Sequence, residues 1–380
     1  MWNIGNIRLR NILLFLIVTL YATSAFAGDV CPETLPAVVR GDVTLPEGCV
    51  FEQSINIIDS NTSLNCNGSV FDGKGKDKIG LLIDSKGNPL TNIKVENCVF
   101  RNFKSSGIRI SWSEVDARKG TDHEKIYSVS PNSIFLDKII IEGSGGVGLY
   151  IDDYVTNVTV QNSVIQRSSG VGIYLEHSSK GNRIVNNKLL ENGYRVGKGA
   201  REAIAVDSSA ENLIDGNIFK NNAAGGIFLY KNCGERFSSG KQVIRWQHSS
   251  HNTIRNNLFQ DEKVGIWLAS RQSRNLSKWD CGDKPMDQAG KYFEDFADSN
   301  TIYNNLFCRT VVGIRVASDL NEITGNQFDQ QTATDIDIPV TMREKLLHRP
   351  HIGNIITNNS KVNCRETEIC KTMEQMNAKN

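Results

Sequence analysis

Short blocks of alternating hydrophobic positions recur along this chain. They read Gly80-Leu-Leu-Ile83, Gly107-Ile-Arg-Ile110, Gly148-Leu-Tyr-Ile151, Gly172-Ile-Tyr-Leu175, Ala203-Ile-Ala-Val206, Gly226-Ile-Phe-Leu229, Gly265-Ile-Trp-Leu268 and Gly313-Ile-Arg-Val316, with Asp335-Ile-Asp-Ile338 as a ninth candidate. Period-2 alternation predicts one half-buried strand per block. A second pattern runs between the blocks, where an asparagine is followed five residues later by another. Eight such pairs are Asn92/Asn97, Asn157/Asn162, Asn182/Asn187, Asn212/Asn217, Asn252/Asn257, Asn300/Asn305, Asn321/Asn326 and Asn354/Asn359. A unit of roughly 21 to 30 residues, lengthened by insertions, predicts stacked repeats rather than a core with one centre.

Two further short strands fit each unit, one between or beside the asparagines, as in Asn252-Thr-Ile-Arg-Asn-Asn257, and one after them (Leu258, Phe259; Leu306, Phe307). Three short strands per turn, with Gly and Asn at the corners, predict an all-β solenoid, a single-stranded parallel β-helix. Gly and Asn accept the left-handed backbone of sharp corners, and stacked asparagines can bond their amides up and down the stack. Helical periodicity is absent and the aliphatic residues are mainly Ile and Val, which argues against a leucine-rich horseshoe. The expected organisation is a signal peptide at 1–27, an N-terminal cap at 28–60, the β-helix at 61–360 and a polar tail or cap at 361–380.

Insertions at 112–131, 231–251 and 270–299 each leave the chain just after a Gly-Ile-x-Leu strand, so they emerge from one edge of one sheet. Residues 191–202 rise on the other side. A two-walled groove over this sheet is therefore expected. Alternation places a column of side chains on its floor: Arg109, Tyr150, Tyr174, Ala205, Phe228, Trp267 and Arg315. The next outward column is Ser111, Asp152, Glu176, Asp207, Tyr230, Ala269 and Ala317. The third is Trp112, Asp153, His177, Ser208, Lys231, Ser270 and Ser318. Aromatic rings suit the apolar faces of sugars. Asp152, Glu176 and Asp207, one strand spacing of ~4.8 Å apart, would repel one another unless a cation or proton intervenes. Arg201 and Glu202 stand at the lip of the groove. Lys231, Arg236, Lys241, Arg245, Arg271, Arg274 and Lys278 make the longest insertions cationic, and Trp246, Trp279 and Tyr292 could clamp a chain or anchor the loops.

Composition narrows the context. Arg8 and Arg10, the apolar run from Ile12 to Tyr21 and Ala25-Phe26-Ala27 form an export signal with cleavage after Ala27, too short for a membrane span. Without its two arginines the chain carries 41 basic and 42 acidic residues, which gives no general surface for nucleic acid or membrane. All nine cysteines follow the signal. Cys31 with Cys49 and Cys233 with Cys281 are the expected bridges, formed in the periplasm or outside the cell. Gly143-Ser-Gly-Gly-Val-Gly148 matches a dinucleotide fingerprint, but a strand follows where a helix is required.

The Asn-x-Ile-x-x-Asn and Gly-Ile-x-Leu blocks, with Ser63-Leu-Asn-Cys-Asn-Gly68 and Phe71-Asp-Gly73, resemble the right-handed parallel β-helix proteins of the pectate-lyase-like superfamily. That resemblance implies the fold, and it admits lyases, epimerases, hydrolases and non-enzymatic periplasmic proteins. Pectate lyases are similar in placing calcium-binding carboxylates on adjacent coils and a Lys and an Arg on later ones. By that resemblance Asp152, Glu176 and Asp207 would hold Ca2+, the expected ion if one is held. Lys231, Arg271 or His177 would remove the C5 proton of a uronate, and Tyr230 would protonate the leaving oxygen. Arg109, Tyr150, Tyr174, Arg201, Glu202, Phe228 and Trp267 would bind the sugar chain. The expectation is an exported, monomeric polysaccharide lyase or C5-epimerase. The alternatives are a glycoside hydrolase with paired carboxylates and a non-catalytic glycan-binding or accessory protein, such as the β-helix protein that helps mature the copper site of nitrous oxide reductase. That the chain has only five methionines and no histidine cluster argues against a copper route.

Overall fold

In the computed structural model, residues 30–113, 122–195, 197, 199–240 and 242–364 are described. The expected signal peptide, Lys241, most of the tail and part of the 112–131 insertion lie outside them. Three parallel sheets of eleven strands each run the length of the molecule. Successive strands join the three sheets in rotation, so every three strands complete one coil. The first sheet runs from Val38–Val39 to Thr334–Asp337, the second from Asp42–Thr44 to Ile355–Thr357, and the third from Val50–Phe51 to Ser360–Val362. Each strand pairs in parallel with its counterpart one coil away. This is the expected right-handed parallel β-helix. Its ladders begin at Val38, so regular coiling starts inside the stretch anticipated as an N-terminal cap. The ninth strand candidate also joins the first sheet, where Ile336 lies in register with Ile314. Among the described residues no helix is long and apolar enough to cross a membrane.

The core is a tube of stacked identical positions. In the third sheet Phe219, Phe259, Phe307 and Phe328 stack face to face at 4.7 to 4.9 Å. Those rings explain the glycines that open the later Gly-Ile-x-Leu blocks, while Gly107 and Gly148 meet Ile141 and Ile165 in the same way. A Cβ on Gly265 would lie 2.4 Å from the Phe307 ring, and one on Gly313 would lie 2.4 Å from Phe328. Neither glycine has a positive φ. The motif glycine is there for close packing, and the left-handed corners fall elsewhere, at residues such as Asn186, Asn256, Gly216 and Gly325.

The asparagine pairs divide into two structural classes. From Asn182 onward they form two buried ladders. Each asparagine donates its backbone N–H and its amide NH2 to the Oδ1 of the next, as in Asn187 to Asn217 (2.9 and 3.0 Å) and Asn217 to Asn257 (2.8 and 3.0 Å). Asn217 Nδ2 also donates to the Ile184 carbonyl at 2.7 Å. Asn92, Asn97, Asn157 and Asn162 sit one residue earlier in register and adopt the left-handed conformation, with φ of 50 to 59°. The same spacing thus reports two positions, one a corner and one a ladder rung. A third ladder, Asn192 to Asn222, ends on Glu262, whose Oε1 accepts from the backbone and amide of Asn222. Burial pushes the Glu262 carboxyl up to about 8.

Four disulfides fasten the coils: Cys31–Cys49, Cys66–Cys98, Cys233–Cys281 and Cys308–Cys364. The two anticipated pairs are among them.

Asn217→Ala should strand the backbone N–H of Asn187 and the carbonyl of Ile184 inside the tube. A loss of about 2 kcal/mol or more is expected, seen as a lower denaturant midpoint. Glu262 gives a pH signature. Its folded-state pKa lies above the unfolded value, so the folded protein holds the proton longer. Stability is therefore full below about pH 4.5 and declines as pH rises towards about 8. Glu262→Gln should match the wild-type melting temperature near pH 4.5 and exceed it at pH 8; a constant difference across that range would contradict this.

Candidate functional site

The strand register sets the groove floor. Arg109, Tyr150, Tyr174, Ala205, Phe228, Trp267 and Arg315 are successive partners across the first sheet, one column as anticipated. Period-2 alternation drives this: Leu149, Ile151, Ile227 and Leu229 fill the tube, which turns the residues between them outward. Tyr150 and Tyr174 stack in parallel at 5.1 Å, and Arg109 lies over the Tyr150 ring at 4.9 Å.

Two walls rise from this floor. One is the 191–202 segment. The other combines the 231–251 and 270–299 insertions, which are welded by Cys233–Cys281, by the Lys231–Asp283 ion pair and by the backbone bonds Arg236 N–H to Trp279 O and Phe237 N–H to Asp280 O. Asp295 pins the start of both insertions by accepting the backbone N–H of Lys231 and of Arg271, the latter at 2.7 Å. Between the walls lies a cavity of about 730 Å3, lined by Tyr174, Glu176, Glu202, Phe228, Tyr230 and Trp267 from the sheet and by residues of both walls.

The cavity is strongly cationic. Arg195, Arg201, Arg236, Arg245, Arg271 and Arg274 line it, against Glu176, Glu202 and Glu235. Tyr230 is its centre. The Arg271 guanidinium lies 3.9 Å over its ring, Arg201 Nη2 donates to its hydroxyl at 3.3 Å, and that hydroxyl stands 3.4 Å from both Tyr174 Oη and Glu202 Oε1. Arg271 also reaches Glu235 Oε1 at 2.7 Å and stacks on Trp279, which Arg274 covers too.

The two glutamates are tuned in opposite directions. Burial of Glu176, helped by nearby Asp207 and Asp153, pushes its carboxyl up to about 8 against the pull of Arg245. Burial also works against ionised Glu202. There the paired Arg201 guanidinium (2.9 and 3.0 Å), with Arg271 behind it, outweighs burial and holds the group below its ordinary range. One site thus contains a carboxylic acid and a carboxylate at neutral pH. Burial raises the Tyr230 phenol well above its usual range, so it enters chemistry as O–H.

The three aligned carboxylates each have their own protein partners. Asp152 accepts from Arg109 (2.6 and 2.9 Å) and Ser111; Glu176 accepts from Tyr150 (2.5 Å) and Arg245 (3.1 Å); Asp207 accepts from Tyr174 (2.6 Å) and Asn232. Like charges one coil apart are relieved by separate phenol, amide and guanidinium partners. Among the described residues no group of three or more His, Cys, Asp or Glu converges as a metal cage. The donor set does not fit the calcium site anticipated for Asp152, Glu176 and Asp207.

Of the residues anticipated as catalytic, Tyr230 and Arg271 meet in the cavity. Lys231 and His177 do not line it. Lys231 is buried under its own insertion against Asp283, and His177 is enclosed beside Tyr154, where burial lowers its pKa. At these two coils the third outward column turns the corner, so Lys231 and His177 face away from the cavity, whereas Ser270 of the same column lines it. Of the anticipated sugar-binding residues, Tyr174, Arg201, Glu202, Phe228 and Trp267 line the cavity, whereas Arg109 and Tyr150 lie on coils beyond it. Trp279 lines the cavity, while Trp246 stacks on His123 at 4.4 Å and donates to Tyr154 Oη, tying two insertions together. Arg245 was legible only as one charge in a basic loop. Its position against Glu176, 69 residues away in sequence, has no sequence signal.

A family model described as right handed beta helix region matches residues 119–243, and one described as periplasmic copper-binding protein (NosD) matches 195–338 and 233–372. No curated protein matches the chain. Among solved structures, an alginate lyase from Paenibacillus sp. str. FPU-7 is 12% identical with a TM-score of 0.45, over 84% of this chain and 91% of that one. The periplasmic alginate epimerase AlgG is 12% identical with a TM-score of 0.42, over 85% and 84%. The catalytic domain of a GH87 alpha-1,3-glucanase in complex with nigerose is 10% identical with a TM-score of 0.39, over 85% and 60%.

If the disulfide makes one wall of two loops, Cys233→Ser with Cys281→Ser should leave the coil amides protected. The amides of Arg236 and Phe237 should exchange with solvent at least about tenfold faster in hydrogen-exchange measurements. Unchanged protection there would show that the wall holds without the bridge.

Proposed function

We propose that this chain, a right-handed parallel β-helix repeat protein, is an exported enzyme that acts on an acidic polysaccharide in the cavity over its first sheet, by lyase or C5-epimerase chemistry. The observation that carries this reading is the meeting of Tyr230, Arg201, Arg271 and ionised Glu202 inside one arginine-rich cavity. The four disulfides suit an oxidising compartment outside the cytoplasm, and the periplasmic label of one matching family model points the same way.

A uronate carboxylate enters between Arg201, Arg271 and Arg274. Neutralising that carboxylate acidifies the proton on C5 and stabilises the charge that develops when it leaves. The incoming carboxylate competes with Glu202 for Arg201, so substrate binding itself makes Glu202 a stronger base. Glu202 takes the C5 proton. In the lyase course the C4–O bond breaks, a C4=C5 double bond forms, and Tyr230 gives its O–H proton to the departing oxygen. In the epimerase course Tyr230 gives its O–H proton to C5 from the opposite face, no bond to C4 breaks, and the phenolate recovers a proton from Glu202, 3.4 Å away. No step needs an ion. Among the described residues no group of three or more His, Cys, Asp or Glu answers the same family model's copper label, and eight of the nine cysteines form disulfides.

A second reading follows from the opposed glutamates. Protonated Glu176 and ionised Glu202 are the acid and base a glycoside hydrolase requires. Products separate the readings. A lyase leaves an unsaturated end that absorbs in the ultraviolet, a hydrolase makes reducing ends without it, and an epimerase changes neither. Binding with no product would favour a glycan-binding protein.

On a panel of polyuronates, Tyr230→Phe and Glu202→Gln should each lower kcat/KM by about 10^2-fold or more, and turnover should persist with a chelator present. Full activity in both variants would overturn the assignment.

A further inference from the structure

The catalytic cluster occupies only part of the cavity. Glu176 and Arg245 line the same space. The coil of Glu176 is separated from that of Trp267 and Arg271 by three strand steps, through Asp207 and Tyr230. Three steps at the usual strand spacing span ~14 Å, longer than one sugar ring. Arg245 reaches this position because the 231–251 insertion leans back over earlier coils. Its neighbours Trp246 and Gln247 fix it there, bonding to Tyr154 Oη and to the carbonyls of Ser179 and Ser208.

Arg245 is about 1% exposed and incompletely paired. Its Nη2 donates to Glu176 Oε1 at 3.1 Å and to Gln242 Oε1 at 2.7 Å, while Nε and Nη1 are buried with no hydrogen-bond partner. A guanidinium has five donors in a planar fork matched to carboxylates. Leaving buried donors unmet is costly, and a ligand carboxylate would supply the missing acceptors.

Building on the reading above, we propose that Arg245 forms a second carboxylate subsite in the cavity, so that the protein selects chains carrying acidic groups on neighbouring sugars, with Glu176 as the counter-group that the substrate displaces. The groups facing this pair are Tyr150, Asp153, Tyr174, His177 and Asp207. Glu176 titrates at about 8. Below that pH it is neutral and leaves Arg245 free for a substrate anion. Above it, ionised Glu176 cancels the guanidinium and repels the substrate. Affinity for a polyuronate therefore falls as pH rises through about 8.

The test compares wild type, Arg245→Ala, Arg245→Lys and Glu176→Gln on a fully acidic polyuronate and on the same polymer with about half of its carboxyls esterified, by calorimetric titration and steady-state kinetics. Melting curves confirm folding. Wild type should prefer the acidic polymer. Arg245→Ala should raise Kd and KM for it at least tenfold, with a smaller fall in kcat, and lose most of the preference. Arg245→Lys should restore part of both. Glu176→Gln should hold its affinity from pH 7 to 9.5, where wild type loses about tenfold. Equal losses on the two polymers, or an unchanged Kd in Arg245→Ala, would overturn the subsite while leaving the catalytic reading intact. A wild-type protein that neither binds nor converts any polyuronate would overturn both.

Discussion

Each coil of this protein is held one strand spacing from the next by parallel backbone hydrogen bonds in three sheets at once. That triple ladder fixes the register of every residue against its counterpart on neighbouring coils, and the rest of the molecule depends on it. It aligns Phe219, Phe259, Phe307 and Phe328 into a continuous internal stack. It superimposes the asparagines so that each amide meets both the backbone and the side chain of the next. It also turns residues remote in sequence into the adjacent columns of the groove floor. A slip of one residue in any coil would reverse the inward and outward sets.

The asparagine ladders and the motif glycines show how such a tube stays uniform. A buried amide without partners is costly, but a repeated amide supplies its own partners at every rung except the last. Where the third ladder meets Glu262 the repeat is broken by an acid, and burial answers by holding the proton. The glycines solve a different problem. Phenylalanine rings stacked close to the first sheet leave no room for a Cβ, so the strand opposite them begins with the one residue that has none.

The candidate site lies where the repeat is interrupted. The regular coils offer a flat, periodic face. The insertions after Tyr230 and Leu268, joined by Cys233–Cys281, turn part of that face into a walled, half-open cavity. Burial of the side chains that line it changes the electrostatics. Arginines that would be weakly coupled at a surface now act on Tyr230 and Glu202 in a medium that screens them poorly. The same burial separates two glutamates that sequence alone cannot distinguish, one neutral beside Tyr150 and Arg245, the other ionised against Arg201.

The chain by itself determined the coil, the number of strands per turn, the order of the floor residues, the side from which the walls rise and two disulfides. All of these follow from local periodicity and from what each residue type tolerates at a corner. Tertiary structure alone decided how charges pair. Asp152, Glu176 and Asp207 form one sequence column, yet each is claimed by a different partner, and Glu176 is claimed by an arginine 69 residues away. It also decided that Lys231 and His177 turn beneath an insertion while Glu202 faces the cavity. Periodicity specifies positions within a coil, but the path of a long insertion is set by contacts between distant residues, and no local pattern encodes those.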